Sequence, residues 1–122
     1  MTIASVSGIS IHVVDVSRGV VATGMRVELF AAAPTHQLLC SGAINTRGVL
    51  DDTMLVSEAM QAGYYEAVFH AAAYYREQGV ALPGTPFLDV VTFRFAISDT
   101  RQHYHLPMKL TPWGYSCFRG GA

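Results

Sequence analysis

The sequence contains few charged residues and few cysteines, and both shortages narrow what the protein can be. Only 14% of its 122 residues are charged, whereas 51% are hydrophobic, which excludes an intrinsically disordered chain. The low charge also favours an oligomer that hides part of its surface. Cys40 and Cys117 are too few and too far apart for a disulfide framework. We therefore expect two reduced thiols in a cytoplasmic protein.

Three further signatures are missing. The net charge is −1 and no stretch clusters Lys and Arg, so we expect no nucleic-acid partner. No apolar run approaches the ~20 residues that span a membrane, so we expect no membrane partner. The N-terminal stretch MTIASVSGIS has neither the basic nor the apolar region of a signal peptide. The function must therefore reside in a local site.

The sequence does contain a series of short alternating runs between turn signals, which is typical of an antiparallel β-sandwich. One short helix is predicted at 72–79 and ends at Gly79. The length fits a single domain, residues 1–122. These features predict an all-β sandwich of seven or eight strands with one short helix. The predicted strands are 9–16, 25–31, 38–44, 63–71, 87–97, 103–110 and 114–120, with a weaker run at 49–56.

Three histidines stand out because the alternation of their strands points them away from the core. In HYHLPMKL, His103 and His105 share one face with Lys109, and in ISIHVVDV, His12 lies opposite the apolar set. Pro107 removes one backbone amide and predicts an edge strand or a bulge. The residues predicted to form the core face of these two strands are Ile9, Ile11, Val13, Tyr104, Leu106, Met108 and Leu110.

The spacing of His103 and His105 is compatible with three interpretations. The two imidazoles share one face of a strand, roughly 6.5–7 Å apart between Cα atoms. They could be solvated side chains on an edge strand. They could bind zinc, with His12 as a third ligand. They could also perform acid–base catalysis, because an unperturbed imidazole titrates near neutral pH.

Three cations complete the set of candidate residues. Arg119 lies in a Gly-flanked tail and is the kind of fixed cation that binds a planar anion or a carbonyl oxygen. The preceding run WGYSCF indicates that this tail is packed rather than frayed. Arg47, in NTRGV, and Lys109 are most simply interpreted as solvated residues.

Most of the chain resembles one protein family. ISIHVVDVSRGVVATGMRVEL resembles the opening of the transthyretin-like 5-hydroxyisourate hydrolases, whose motif is a Thr-His-Val/Ile-Leu-Asp strand followed by a turn of small residues. PFLDVVTFRFAISDTRQHYHLPMKLTPWGYSCFRG resembles their C-terminal half, with its His-Tyr-His-Φ-Pro segment and a terminal Tyr-Arg-Gly-Ser. GYYEAVFHAAAYY fits the strand before their short helix. The resemblance implies a transthyretin-like fold.

The same resemblance implies an assembly and an activity. It implies a homotetramer, a dimer of dimers, with a channel through the dimer–dimer interface and active sites built from neighbouring subunits. It implies hydrolysis of 5-hydroxyisourate, a purine-derived cyclic amide, without a redox cofactor. We therefore expect a small heterocyclic substrate as the partner, and neither a cofactor nor a resident metal.

Carried over residue by residue, the resemblance implies catalytic roles for His12 and His105. His103 beside them and Arg119 in the tail become substrate-binding residues. The family's turn Thr-Asn-x-Asp-Gly-Arg reads INTRGV here, so Val49 occupies the position of the catalytic arginine. Arg47 is a candidate replacement, because it would point to the same side as Val49 if the segment is extended.

The end of the chain departs from the family in two more places. Phe118 and Gly121 stand where the family has its terminal tyrosine and serine, so both hydroxyls are lost. Together with Val49, these residues predict a less polar and slightly larger substrate pocket. Three functions remain open: hydrolysis of 5-hydroxyisourate or a related cyclic amide, isomerisation or cyclisation of another heterocycle, and small-molecule binding as in transthyretin.

Overall fold

Eight strands and one helix make up the regular structure in the part of the chain that the computed structural model describes, residues 8–51 and 60–121. The β-sandwich with one short helix is therefore confirmed. The strands are β1 (Gly8–Asp15), β2 (Val20–Val21), β3 (Arg26–Ala31), β4 (Gln37–Ala43), β5 (Gly63–Phe69), β6 (Val91–Ile97), β7 (His103–Thr111) and β8 (Gly114–Cys117), and the helix α1 spans Ala71–Glu77.

The strands form two sheets of four. The first sheet has the order β2-β1-β7-β8, and the second has the order β4-β3-β5-β6. All neighbours in the second sheet are antiparallel, whereas β1 and β7 of the first sheet run parallel. This pairing brings the two histidine-bearing strands, from opposite ends of the sequence, side by side.

The predicted core face of β1 and β7 is confirmed. All seven apolar residues on that face are at most 4% exposed. Burying each large aliphatic side chain contributes ~1.5–3 kcal/mol. A slip of the register by one residue would turn this whole set to solvent and the histidines to the core. The hydrophobic pattern therefore fixes which way the histidines face.

A buried carboxylate attaches α1 to the end of β1. Asp15 is fully buried, and its oxygens accept hydrogen bonds from the hydroxyls of Tyr74 (3.0 Å), Tyr75 (2.9 Å) and Ser17 (2.6 Å). Burial is the main cause that raises the pKa of both tyrosines, so both hydroxyls remain protonated donors. The helix is thus tied to the first sheet through polar contacts inside the core.

Three predicted strands extend at least two residues beyond those in the structure. β5 ends at Phe69, because α1 already begins at Ala71. The segment 87–90 is not part of β6, because Asp89 O instead accepts a hydrogen bond from Ala72 N at the start of α1. The last strand ends at Cys117, but the tail still follows β7, since Gly120 N donates to His105 O at 2.7 Å.

Two further elements differ from the prediction. Val20–Val21 lies outside the predicted strands and forms β2, which pairs with the end of β1. The predicted weak strand at 49–56 lies largely outside the described residues, since 52–59 are not described. Its first two residues, Val49 and Leu50, form isolated bridges with His12 and Ile44.

The edge position predicted from Pro107 is wrong, because β7 lies between β1 and β8. Pro107 is opposite His12 in the continuous parallel register with β1, so there is no bulge either. The proline is tolerated because β8 pairs only with residues 108–111 of β7. Pro107 lies just before that paired stretch, where β8 requires no amide from it.

Candidate active site

The outer face of β1 and β7 carries the three candidate histidines. In the parallel register Ser10 is opposite His105, and His12 is opposite Pro107. His103 and His105 are two residues apart on β7, so all three imidazoles share the face turned away from the core. The structure thus brings together His12, His103 and His105, as the alternation predicted, and each is half-buried.

A serine joins two of these rings. Ser10 Oγ lies 2.7 Å from His103 Nε2 and 2.7 Å from His105 Nδ1. Ser10 is not among the site residues predicted from the sequence. It could have been found, because Ser10 alternates with the apolar residues of β1 in the same way as His12.

His105 is held in a constrained environment. Burial lowers its pKa, and the neighbouring His12 and then His103 lower it further. On its other side the tail packs against the ring, since a Cβ atom at Gly120 would lie only 2.8 Å from His105 Cδ2. His105 therefore tends to remain neutral near neutral pH and has little freedom to turn.

The turn before Val49 supports His12. Gly48 has φ +84°, and a Cβ atom there would lie 2.7 Å from His12 Nε2, so a glycine is needed. Val49 forms an antiparallel bridge with His12, and Val13 N donates to Gly48 O at 2.8 Å. The position where the family has its arginine is thus next to an imidazole.

Arg47 is in a turn and not in an extended segment, so the condition under which it would point to the same side as Val49 is not met. Gly48 N donates to Asn45 O at 3.0 Å, and Arg47 N donates to Asn45 Oδ1 at 2.8 Å. The Arg47 side chain is 79% exposed, with its guanidinium 4.0 Å from Asp51. Its catalytic role stays a prediction.

Arg119 lies on the opposite face of β7 from the imidazoles. Its guanidinium stacks on the Tyr104 ring at 4.0 Å from the centroid and donates to Gln102 Oε1 at 2.8 Å. It borders a cleft of about 170 Å³ between β6 and β7, which Phe93 and Leu106 also line. Within the described chain, Arg119 donates to the backbone oxygen of His103 at 3.4 Å but is not brought to the imidazoles.

The other two tail residues are exposed. The ring of Phe118 lies 5.9 Å from Lys109 Nζ, in a cation–π arrangement on the histidine side of the sheet. Gly121 has open space where a side chain would be. Their predicted role in lining a substrate pocket stays a prediction.

Metal binding and membrane insertion find no support in the described residues. Within residues 8–51 and 60–121, no group of three His, Cys, Asp or Glu side chains could hold a metal ion. No helix in that same part of the chain is long and apolar enough to cross a membrane. Neither Cys40 nor Cys117 is part of a disulfide.

Comparison with known proteins supports one family. The model of the HIUase/Transthyretin family matches residues 9–120. The chain is 40% identical over 114 residues to a Deinococcus radiodurans protein named 5-hydroxyisourate hydrolase, covering 93% of this chain and 95% of that one. It is 38% identical over 110 residues to 5-hydroxyisourate hydrolase 2 of Rhizobium meliloti, covering 89% and 92%.

Solved structures agree with the sequence matches. The Klebsiella pneumoniae 5-hydroxyisourate hydrolase has a TM-score of 0.78 and 26% identity, with 94% of this chain and 100% of that chain covered. (S)-allantoin synthase has a TM-score of 0.83 and 28% identity, but this chain spans 45% of its length. Sea bream transthyretin, at 21% identity and a TM-score of 0.81 over 94% of this chain and 96% of that one, shows the fold alone. The transthyretin-like fold is thus confirmed, and the chain belongs to the HIUase/Transthyretin family.

Proposed function

We propose that the protein is a hydrolase that opens 5-hydroxyisourate or a closely related purine-derived cyclic amide. The observation that carries this proposal is the cluster of His12, His103 and His105 on the outer face of β1 and β7, ordered by Ser10. The curated relatives named 5-hydroxyisourate hydrolase support the substrate class, because the chain covers nearly their whole length.

The proposed reaction needs one group that transfers protons and one that stabilises the carbonyl oxygen, and His12 and His105 are the candidates for these two roles. A water oxygen bonds to the ring carbonyl carbon while one imidazole takes the water proton. The carbon–nitrogen bond then breaks, and the ring nitrogen receives that proton. The lowered pKa of His105 supports either role, because a neutral imidazole at neutral pH is required. Neither a metal nor an organic cofactor enters this reaction.

Arg119 is proposed to anchor a substrate oxygen, with Val49, Phe118 and Gly121 lining the pocket. The guanidinium of Arg119 is solvent-exposed at the edge of the sheet, so it can act in a site completed by a neighbouring subunit. If Arg47 supplies the missing donor instead, Arg47→Ala should lower kcat/KM by about 10²–10³. An unchanged kcat/KM would remove Arg47 from the site.

We propose a homotetramer in which the histidine face lies at an interface between subunits. Apolar side chains around the edge strand β8 support this, since Trp113, Tyr115 and Phe118 are largely exposed. A site between subunits would also explain why one subunit alone leaves Arg119 away from the imidazoles. Because no disulfide joins Cys40 and Cys117, we also propose a reducing, cytoplasmic location.

The direct test is turnover of freshly generated 5-hydroxyisourate, followed by its ultraviolet absorbance against the spontaneous rate. We expect decay well above the rate in buffer, loss of that excess in His105→Ala, and one oxygen-18 atom per product when the solvent is labelled water. Decay at the buffer rate would contradict the assigned substrate, and unlabelled product would contradict hydrolysis.

A second candidate function is isomerisation or cyclisation of a different heterocycle. The observation that favours it is Val49 beside His12, which makes the site less polar than the family pattern implies. The fold likeness to (S)-allantoin synthase fits this candidate, although half of that chain has no counterpart here. A small-molecule binding role, as the thyroxine complex of sea bream transthyretin exemplifies, would require tight binding without turnover.

A further inference from the structure

Ser10 stands between two imidazoles and has no part in the reaction as described so far. Its Oγ lies 2.7 Å from His103 Nε2 and 2.7 Å from His105 Nδ1. A serine hydroxyl carries one proton, so it can donate to only one of the two rings. The direction of these two hydrogen bonds therefore decides which nitrogen of His105 carries a proton.

The other nitrogen of His103 indicates that direction. Among the described residues, His103 Nδ1 is the buried side-chain polar atom that has no hydrogen-bond partner. A buried N–H without an acceptor is less tolerated than a buried acceptor without a donor. Neutral His103 therefore carries its proton on Nε2 and donates it to Ser10 Oγ, which leaves a bare Nδ1 as the unpartnered atom.

The hydroxyl proton of Ser10 then points to its other neighbour, His105 Nδ1. Because Nδ1 accepts this bond, the proton of neutral His105 lies on Nε2. The same arrangement opposes protonation of His105, since Ser10 would face two N–H donors and its own proton would lose its acceptor. The lowered pKa of His105 agrees with this, although burial is its first cause.

We propose that Ser10 is a positioning residue that holds His105 in its Nε2–H form through a one-directional chain from His103 Nε2 through Ser10 Oγ to His105 Nδ1. His103, predicted from the sequence to bind substrate, acts in this assignment through Ser10. The tautomer assignment stands on geometry alone, whereas its catalytic consequence rests on the proposed function.

This hydrogen-bond chain gives the two catalytic histidines different roles. His105 Nε2–H donates a hydrogen bond to the carbonyl oxygen as negative charge develops there. His12 takes the proton of the attacking water and returns it to the ring nitrogen as the carbon–nitrogen bond breaks, so protons balance over the cycle. A neutral His105 thus acts as an electrophile, and His12 acts as the base and then the acid.

Nitrogen-15 spectra of the imidazoles test the tautomers directly. The chain has five histidines, so protein labelled only at histidine gives five rings, which single His→Asn variants assign. We expect both His103 and His105 in the Nε2–H form in the wild type. Ser10→Ala should turn both into tautomer mixtures, and Ser10→Thr should retain the wild-type form. Ser41→Ala, on the outer face of the second sheet, is the matched serine control and should change neither ring.

Two spectroscopic results would overturn the proposal. One is a wild-type His105 with its proton on Nδ1. The other is a Ser10→Ala protein whose His105 keeps the wild-type tautomer. If the tautomers are as expected but the wild type does not turn over 5-hydroxyisourate, the proposed function fails and the Ser10 assignment stands.

Kinetics then measure the consequence for catalysis. Ser10→Ala should lower kcat about tenfold. Removing the hydrogen-bond partner that orients a metal-bound histidine lowers activity by about 10–100-fold, and the effect expected here is at the lower end of that range. KM should change less than about twofold, and Ser10→Thr should restore most of kcat. An equal loss of kcat in Ser10→Ala and Ser10→Thr, with His105 still in its Nε2–H form in Ser10→Thr, would assign the effect to packing and contradict the positioning role.

Discussion

The two faces of β1 differ in how completely their polar groups are hydrogen-bonded. On the inner face, Asp15 is fully buried, and both of its oxygens accept hydrogen bonds from hydroxyls. On the outer face, Ser10 and His12 belong to a half-buried cluster in which one ring nitrogen of His103 has no partner within the described chain.

The contrast separates a structural polar group from a functional one. A buried polar group that only supports the fold is fully hydrogen-bonded, because leaving it unpaired costs ~1–3 kcal/mol. Groups that must exchange protons with a substrate keep unfilled hydrogen-bonding capacity and perturbed pKa values. The inner face should therefore govern unfolding, and the outer face should govern turnover.

The largest expected effect is on the outer face. His105→Ala should reduce kcat for 5-hydroxyisourate by about 10²–10³, because the imidazole stabilises the negative charge that develops on the carbonyl oxygen. The free energy of unfolding should change by less than about 1 kcal/mol, since the ring is half-buried on the outer face. His36→Ala, an exposed histidine near the second sheet, is the control and should leave kcat unchanged. Parallel losses of kcat and stability would contradict the separation between an outer face that governs turnover and an inner face that governs unfolding.

The next effect is on the inner face. Asp15→Ala should lower the free energy of unfolding by about 3–5 kcal/mol, because the hydroxyls of Tyr74 and Tyr75 lose their acceptor inside the core. Denaturant titration measures it, with Ser17→Ala as a partial control that should cost only ~1 kcal/mol. If Asp15→Ala is as stable as Ser17→Ala, the two tyrosine hydrogen bonds do not hold α1 to the sheet.

The alternation in the sequence was sufficient to predict a β-sandwich and the faces of the two histidine strands, whereas the transthyretin-like fold was implied by the family resemblance. The sandwich and the faces follow from period-two alternation, because burial of the apolar set leaves no other register. The internal position of β7 could not be predicted, because Pro107 reads as an edge signal. Pro107 is tolerated inside the sheet because β8 stops pairing with β7 just short of it. No local sequence pattern shows the length of a partner strand.

The site was predictable only in part for a similar reason. Outward orientation identified His12, His103 and His105, but two of their supports are glycines at close approach, Gly48 and Gly120. A glycine shows in the sequence that a position permits close contact, not which residue makes it. The placement of Arg119 on Tyr104 depends on the path of an irregular tail, which alternation does not determine.

Substitution of Gly48 tests whether the close contact between this glycine and His12 matters for catalysis, apart from the effect of backbone strain. Gly48→Ala should lower kcat about tenfold and destabilise the fold by ~1–3 kcal/mol, because its Cβ would lie 2.7 Å from both His12 Nε2 and Val21 Cγ1, and φ is +84°. Gly24→Ala is the matched control, since φ is +90° there but no atom lies within 4 Å of the added Cβ. It should lose less stability, from backbone strain alone, and retain full kcat. Equal kcat in both variants would contradict the contact with His12.

The smallest expected effect concerns the titration of His105. Its pKa is below the ordinary 6.5, with burial as the largest cause and the charge of His12 next, so its ring should stay neutral to lower pH than a free imidazole. His12→Asn should raise the nitrogen-15 titration midpoint of His105, yet leave it below 6.5, because burial remains. An unchanged midpoint would place His12 too far from His105 to share a site.

The lowered pKa of His105 also makes the free energy of unfolding weakly dependent on pH. As the pH falls through 6.5, the unfolded chain binds a proton at position 105 before the folded one does, so the free energy of unfolding should decrease from there down to the folded pKa. His12→Asn should narrow that pH window from its lower end. Urea titrations of the two proteins across this range measure the difference. A window of unchanged width would show that burial alone sets the pKa of His105.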